Sequence, residues 1–393
     1  MSERESRRIP RSRTLPLSRS QVLLVTGEYP PDVGGVADYT ACLRGALAER
    51  GVDVAVLTRG RPAPPEAGVY RRVSRWDARA LADLARRTPR GGVVHLQYQP
   101  AAFDLRGEIC LAPLLLRAVR PDVRLATTFH DARVPRLFRK AGRLRPLAVR
   151  LLARASHAVL AADPSDLVSL GGPSPRHHRV PIGPNVRCRP PAGYDRGAFR
   201  ARLGLADDEL AIAYFGFLNA SKGLESLARA FERIGQASPA ARLLLLGGAT
   251  GASDPTDRAT ARTFLRHLGP LAERVLRPGY LPPGALSAYL LAADVALLPY
   301  ADGASPRRGS LLACAAHGLP IVSTVPASAA VVDAVLAERA DATLLANAVL
   351  RGADDDALRE RLRAGAVALA QRCSWRSIAE QHVAIYRRLC SQT

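Results

Sequence analysis

Short apolar runs alternate along this chain with longer stretches in which apolar residues recur every third or fourth position, the patterns of strand and helix in turn. Gln21–Thr26 is such a run and ends in a Gly/Pro-rich loop. From Val36 to Arg50 the spacing is helical, Gly51 closes the helix, and Asp53–Leu57 supplies the next strand, a βαβ opening. Further strands are predicted at Val93–Gln97, Arg124–Phe129, His157–Ala161 and Arg179–Ile182. A Pro/Gly-rich passage from Pro181 to Tyr194 then reads as an interdomain linker. Beyond it the alternation resumes, with strands at Ala211–Phe215, Arg242–Leu246, Val275–Arg277, Val295–Pro299 and Pro320–Ser323. The helices between them are Leu224–Gly235, Thr256–Leu268, Gly284–Ala292 and Ser310–His317, and Asp354–Arg372 and Ile378–Leu389 follow as two more. The prediction is an α/β chain of two Rossmann-like, doubly wound parallel sheets.

A length of 393 residues fits two cores better than one. The expected division is a disordered basic arm over 1–19, an N-terminal domain over 20–185, a second domain over 195–372 and a closing helix over 373–393. No apolar run is long enough to cross a bilayer, and Met1–Ser20 lacks the apolar core of a signal peptide. Six scattered cysteines without a CxxC pair or a His partner suit reduced thiols in a cytoplasmic protein and indicate neither a disulfide framework nor a zinc site.

Charge changes the picture in one place. The formal net charge is +21, and from Ala132 to Ala162 eight basic residues stand without an acidic one, interleaved with leucine, valine and phenylalanine. Such a segment either presents a solvated helix face or lies on an anionic membrane surface; both readings stay open. Aromatic residues at 5% are too sparse to suggest a nucleic-acid groove, so nucleic acid is not an expected partner.

In open parallel sheets, ligands bind beyond the carboxyl ends of strands, where helix N-termini favour anions. Gly34 and Gly35 sit before the first helix, where backbone N–H groups can approach a phosphate or sugar, although a plain turn explains the pair as well. Gly216, Ser221 and Lys222 follow the strand Ala211–Phe215; Ser221 is placed to cap the next helix, and Lys222 is either a diphosphate ligand or a solvated lysine. In the loop from Tyr300, Asp302, Ser305, Arg307, Arg308, Gly309 and Ser310 gather anion-binding groups ahead of a helix, against the plain alternative of surface arginines. His130 and Asp131 end another strand, where a histidine can donate to a sugar hydroxyl or hold loop carbonyls. Tyr39 and Gln97 join Asp131 as candidates on the acceptor side. Asp354, Asp355 and Asp356 read as a helix start rather than a metal site.

With these residues in place, the chain resembles the GT-B glycosyltransferases of family 4, the retaining group 1 type, from Gln21 to Leu389. GEYPPDVGGVADY resembles the family's opening loop, FGFLNASKGLESLARAF its phosphate-binding strand–loop–helix, and LLAADVALLPY with GSLLACAAHGLPIVST its donor-site core; CSWRSIAEQHVAIYRRL is similar to the last helix, which returns to the first domain. The resemblance implies transfer of a sugar from a nucleotide-sugar donor to a glycan, lipid-linked or small-molecule acceptor, by front-face attack, without a metal or other cofactor. By position it implies that Gly35 approaches the donor, His130 touches the transferred sugar and Lys222 holds the diphosphate. It also marks departures. Phe217 stands where the family has Arg, and Ser305 and Ala313 stand where it has paired Glu. Asp302, Arg307 and Arg308 are candidate replacements. The expected setting is the cytoplasm, peripheral on the inner face of the membrane, and the alternative function is a GT-B-like protein that binds without turnover.

Overall fold

The computed structural model describes residues 22–391 apart from 33, 61, 89, 132–143 and 248–254. The predicted arm over 1–19 and the first part of the basic stretch lie outside the described residues.

The first half runs β1 (Val22–Thr26), α1 (Gly35–Ala48), β2 (Val54–Arg59), β3 (Val69–Val73), α2 (Ala78–Arg87), β4 (Val93–Tyr98), α3 (Ala112–Val119), β5 (Arg124–Phe129), α4 (Leu144–Ala155), β6 (Ala158–Ala161), α5 (Pro164–Ser169) and β7 (His177–Arg179). Among the described residues its strands form one sheet in the order β3-β2-β1-β4-β5-β6-β7, every pairing parallel. Parallel sheets are covered on both faces, which is why β1 reads VLLVT with every residue buried.

The second half runs α6 (Arg196–Arg202), β8 (Ala211–Phe215), α7 (Leu224–Ala237), β9 (Arg242–Leu246), α8 (Pro255–His267), β10 (Val275–Leu276), α9 (Pro283–Ala292), β11 (Val295–Leu298), α10 (Gly309–Ala316), β12 (Ile321–Thr324), β13 (Leu336–Glu338), α11 (Ala342–Asp354), α12 (Asp356–Arg372) and α13 (Trp375–Ser391). Its parallel sheet has the order β10-β9-β8-β11-β12-β13. In each sheet the order reverses beside the first strand, between β1 and β4 and between β8 and β11. The carboxyl ends of those strands open the crevices in which doubly wound folds bind ligands.

Three of the departures from expectation have a plain physical cause. The edge strand β3 buries only Val73 fully and carries Arg71 and Arg72, so its apolar pattern is too thin to predict. The last strand of the first sheet is His177–Arg179 rather than Arg179–Ile182, because Pro181 and Gly183 lead the chain away into the linker. Asp355, rather than the whole acidic triplet, begins α12: its carboxylate accepts from the Leu358 N–H, while Asp354 ends α11.

The helix α13 belongs to the second half by sequence but packs with α1 on one face of the first sheet, through Ile378, Ala379, Val383, Tyr386 and Leu389. Its entry is fixed at Trp375, whose indole N–H donates to the Pro184 carbonyl at 2.8 Å. A Cβ on Gly183 would lie 2.5 Å from that ring, so glycine is required there by close approach. Beneath the helix is a buried polar set. His95 lies within 2.6 Å of the Tyr386 hydroxyl and 2.8 Å of Thr128 Oγ1, while His382 Nδ1 meets the Ile378 carbonyl at 2.8 Å and leaves Nε2 buried with no partner among the described residues. Burial holds His382 down to about 4 and His95 well below the ordinary value.

These histidines take up protons in the unfolded chain near their ordinary value and resist them when folded, so their contribution to stability is complete above about pH 6.5 and drains away as pH falls toward the folded values. Thermal melts between about pH 7 and 4.5 are therefore expected to show a falling midpoint. His382→Leu, which removes the orphaned nitrogen, is expected to make that fall shallower; an identical slope in wild type and variant would assign the acid sensitivity elsewhere.

Candidate active site

At the carboxyl end of β8 the chain enters a 3-10 turn, Ala220–Lys222, and restarts as α7 from Gly223. Gly223 is left-handed at φ +64°, and a Cβ there would sit 1.7 Å from the Pro299 carbonyl oxygen, so only glycine lets this turn lie against the end of β11. The Ala301 N–H donates to the Ser221 carbonyl at 3.1 Å and ties the two loops together. Ser221 does not cap α7, as the sequence suggested; its hydroxyl instead donates to Asn219 Oδ1 at 2.9 Å, inside the turn.

Tied this way, the loops bring two cations to one aromatic ring. Lys222 Nζ lies 5.0 Å from the centre of the Tyr300 ring and Arg308 Cζ 4.7 Å from it. Lys222 also reaches Ser310 Oγ at 3.4 Å, and Ser310 shares a 2.8 Å hydrogen bond with the Tyr300 hydroxyl. Gly216, whose missing side chain would lie 3.5 Å from Lys222 Cε, leaves the lysine room. Burial first, and the nearby guanidinium second, push the Lys222 ammonium down to about 7. Burial likewise lowers Arg308, which pairs with Asp302. The carboxylate of Asp302 therefore stands in an ion pair with Arg308 at the rim of the site. Beside them begins α10 at Gly309, and no side chain caps it. Two desolvated cations, two hydroxyls and an uncapped helix N-terminus make a cradle for a polyanion. Ser305 is buried behind it, its carbonyl accepting from the Arg308 N–H, and Ala313 is fully buried.

Arg307 goes elsewhere. Its guanidinium meets both oxygens of Asp166, at 3.1 and 3.0 Å, and Asp166 stands in the first turn of α5 in the other half of the molecule. The expectation that Arg307 faces the donor is corrected: it bridges the cleft.

On the facing side, the expected opening at Gly34 and Gly35 is filled by the chain itself. Glu28 Oε1 accepts from the N–H groups of Val36 and Ala37, at 3.1 and 3.2 Å, and closes the N-terminus of α1. A Cβ on Gly34 would lie 2.3 Å from that oxygen, whereas Gly35 faces open space. Burial raises the Glu28 carboxyl, which the two amides partly offset. His130 follows β5, and its Nε2 lies 2.9 Å from Gln97 Oε1 at the end of β4. Burial pushes His130 down to about 3, so the ring is neutral near pH 7. With the amide oxygen as acceptor, the ring proton sits on Nε2, and Nδ1 is the nitrogen left for a ligand. Tyr39, expected on the acceptor side, is instead buried between His130 and Trp375, at ring-centre distances of 4.7 and 5.3 Å, and holds the imidazole in place. Gln97 is fully buried, and Asp131 continues from His130 half-buried.

Asn185 was not among the sequence candidates. It bonds the side chain of Asp38 in the first turn of α1, and its Oδ1 lies 3.3 Å from where a Gly309 Cβ would be, at the start of α10. That Oδ1 is buried with no partner among the described residues. A linker asparagine flanked by Pro184 was the available signal, whereas nothing local to Glu28 or Asp166 announces partners eight and 141 positions away.

Two parallel, doubly wound sheets in one chain, with the cationic cradle on the second, are the architecture of the GT-B fold. The chain aligns with sucrose-phosphate synthase from Thermosynechococcus elongatus at a TM-score of 0.72 and 22% identity, covering 95% of this chain and all of that one. Residues 209–355 match the family described as Glycosyl transferases group 1. The chain is 29% identical to a D-inositol 3-phosphate glycosyltransferase of Xylanimonas cellulosilytica, covering 90% of this chain and 92% of that protein. It is 25% identical to a GDP-mannose-dependent monoacylated alpha-(1-6)-phosphatidylinositol monomannoside mannosyltransferase of Corynebacterium glutamicum, covering 92% and 96%. Over residues 209–355 the chain thus matches the group 1 glycosyltransferases, and over 90% of its length it is similar to an enzyme of that class.

The two arginines separate by experiment. Arg308→Ala is expected to weaken nucleoside diphosphate binding about tenfold or more, since it removes a charged donor from the cradle. Arg307→Ala is expected to change that affinity less but to lower stability by about 2 kcal/mol, by removing the guanidinium that pairs with buried Asp166. Calorimetry and thermal melts on both variants read the difference; equal losses of affinity would put Arg307 in the donor site.

Proposed function

We propose that this glycosyltransferase takes a nucleotide-sugar donor with its diphosphate on Lys222, Arg308, Ser310 and the N-terminus of α10, and transfers the sugar to a hydroxyl presented from the His130 side of the cleft. The observation that carries the reading is the pair of half-buried cations over Tyr300, since partly desolvated positive charge, with no carboxylate on Lys222 among the described residues, calls for an anionic ligand. As the glycosidic bond breaks, negative charge grows on the leaving diphosphate, where Lys222 and Arg308 stabilise it more than they stabilise the bound donor. In this reading the side chains supply the cationic charge without a metal, and the acceptor proton passes to the departing phosphate with retention at the sugar. Neutral His130 orients a sugar hydroxyl through Nδ1.

The relatives' names support a phosphorylated polyol or a lipid-linked polyol as acceptor. Among the described residues no helix is long and apolar enough to cross a membrane. We place the protein peripherally, at the cytoplasmic face. A second reading, binding without turnover, draws on Ser305 and Ala313, which put no carboxylate where the family has two.

A panel of nucleotide sugars, scored by thermal shift and by slow hydrolysis, separates the two. One donor is expected to stabilise the protein and to be hydrolysed, and Lys222→Ala is expected to cut turnover by about a hundredfold or more while the fold persists. Stabilisation without hydrolysis or transfer would favour the binding reading, and no stabilisation by any donor would remove the diphosphate site.

A further inference from the structure

The outer face of the α2–α3–α4 layer carries leucines that the core does not use. On the sheet side, Leu116 of α3 and Val149 and Leu152 of α4 are buried in one cluster with Leu96 and Leu125, so both helices show the same side of the molecule to solvent. On that side Leu111 and Leu114 are each 46% exposed, Leu147 62% and Leu151 37%. The spacing i, i+4 puts Leu147 and Leu151 on one stripe of α4, and exposed Arg150 and Arg154 continue it. The helices touch, and α4 also packs on the 3-10 turn Glu108–Leu111 that carries Leu111. Single exposed leucines are ordinary, whereas four on adjoining helices form a patch of the kind that marks an interaction site.

Its position and charge select the occupant. Helices that follow parallel strands start at the carboxyl edge of the sheet; Leu111 directly precedes α3, Leu114 and Leu147 lie in the first turns of α3 and α4, and Leu151 stands one turn further on, so the patch begins at the cleft side of the layer. Neither helix contains an acidic residue, and the chain carries a formal net charge of +21. A twofold contact with another copy would set this basic face against itself.

We propose that this face, Leu111 and Leu114 with Leu147 and Leu151, docks on an anionic lipid surface, the leucines entering the headgroup boundary while Arg150 and Arg154 meet lipid phosphates. Its purpose rests on the reading that the acceptor is lipid-linked: docking there holds the cleft mouth at the height at which such an acceptor's head group emerges. The docking itself does not depend on that reading.

The test is co-sedimentation of the full chain with vesicles of phosphatidylcholine alone or mixed with phosphatidylglycerol. Wild type is expected to bind the mixed vesicles, to bind neutral ones poorly and to be released by salt. Leu147→Ser with Leu151→Ser is expected to weaken binding about tenfold or more, with circular dichroism and donor hydrolysis unchanged. Arg150→Glu with Arg154→Glu is expected to do the same, by charge. No binding by wild type, or leucine and arginine variants that bind as wild type does, would overturn the proposal and leave any attraction to cations outside this face. Light scattering that shows the leucine variant breaking a dimer, with wild type indifferent to vesicles, would give the face to a second copy instead. Vesicle binding lost in these variants, from a protein that transfers no sugar, would keep the docking face and remove the transferase reading.

Discussion

Two positive charges are held half-buried against one tyrosine ring, and much of the second half is arranged to keep them there. Lys222 and Arg308 come from loops after different strands, and they meet only because β8 and β11 are neighbours at the point where the strand order reverses. Gly223 permits the close approach of those loops, Ala301 ties them, and Ser310 brings the start of α10 to the same spot. Burying like charges together costs free energy, and the lowered proton affinity of Lys222 expresses that cost. A bound polyanion returns it, so the empty site stores part of the preorganisation that transfer requires.

The first half faces this cradle with a different arrangement, one in which its own side chains are largely satisfied. Glu28 seals α1, Gln97 fixes the ring of His130, and Tyr39 with Trp375 walls that ring in. The halves are joined by more than the linker. Helix α13 returns to the first sheet, Arg307 pairs with Asp166, and Asn185 stands between Asp38 and α10. A change in the angle between the halves has to break or carry along the Arg307–Asp166 pair, which couples closure of the cleft to the geometry of the loop that bears Arg308.

Much of this was legible in the sequence because parallel strands buried on both faces leave unbroken apolar runs, and LLLL at β9 or VALL at β11 has no other comfortable reading. The loops after those strands were legible for the same reason, which is how Lys222, Arg308 and His130 were singled out. Short edge strands such as β3 and β13 bury too little to leave a pattern. Side-chain partnerships across the fold left none at all. Arg307 and Arg308 are adjacent and identical in kind, yet one turns to Asp166 and the other to Tyr300, a choice made by tertiary packing. The glycine pair looked like an opening for ligand amides, but Glu28, eight residues ahead of Val36, reaches back to occupy the helix end.

Near pH 7 Lys222 is partly uncharged in the free protein, and a diphosphate in the cradle restores its full charge. Calorimetric titration of the protein with a nucleoside diphosphate at about pH 7.5, in buffers of different ionisation enthalpy, measures the protons taken up on binding. Because burial holds Lys222 at about 7 and the anion favours the ammonium, binding is expected to draw a fraction of a proton from the buffer, growing as pH rises from about 7 toward 8. Lys222→Arg, charged throughout, is expected to bind without that uptake. Binding with no proton uptake, or with the same uptake in the arginine variant, would contradict the account.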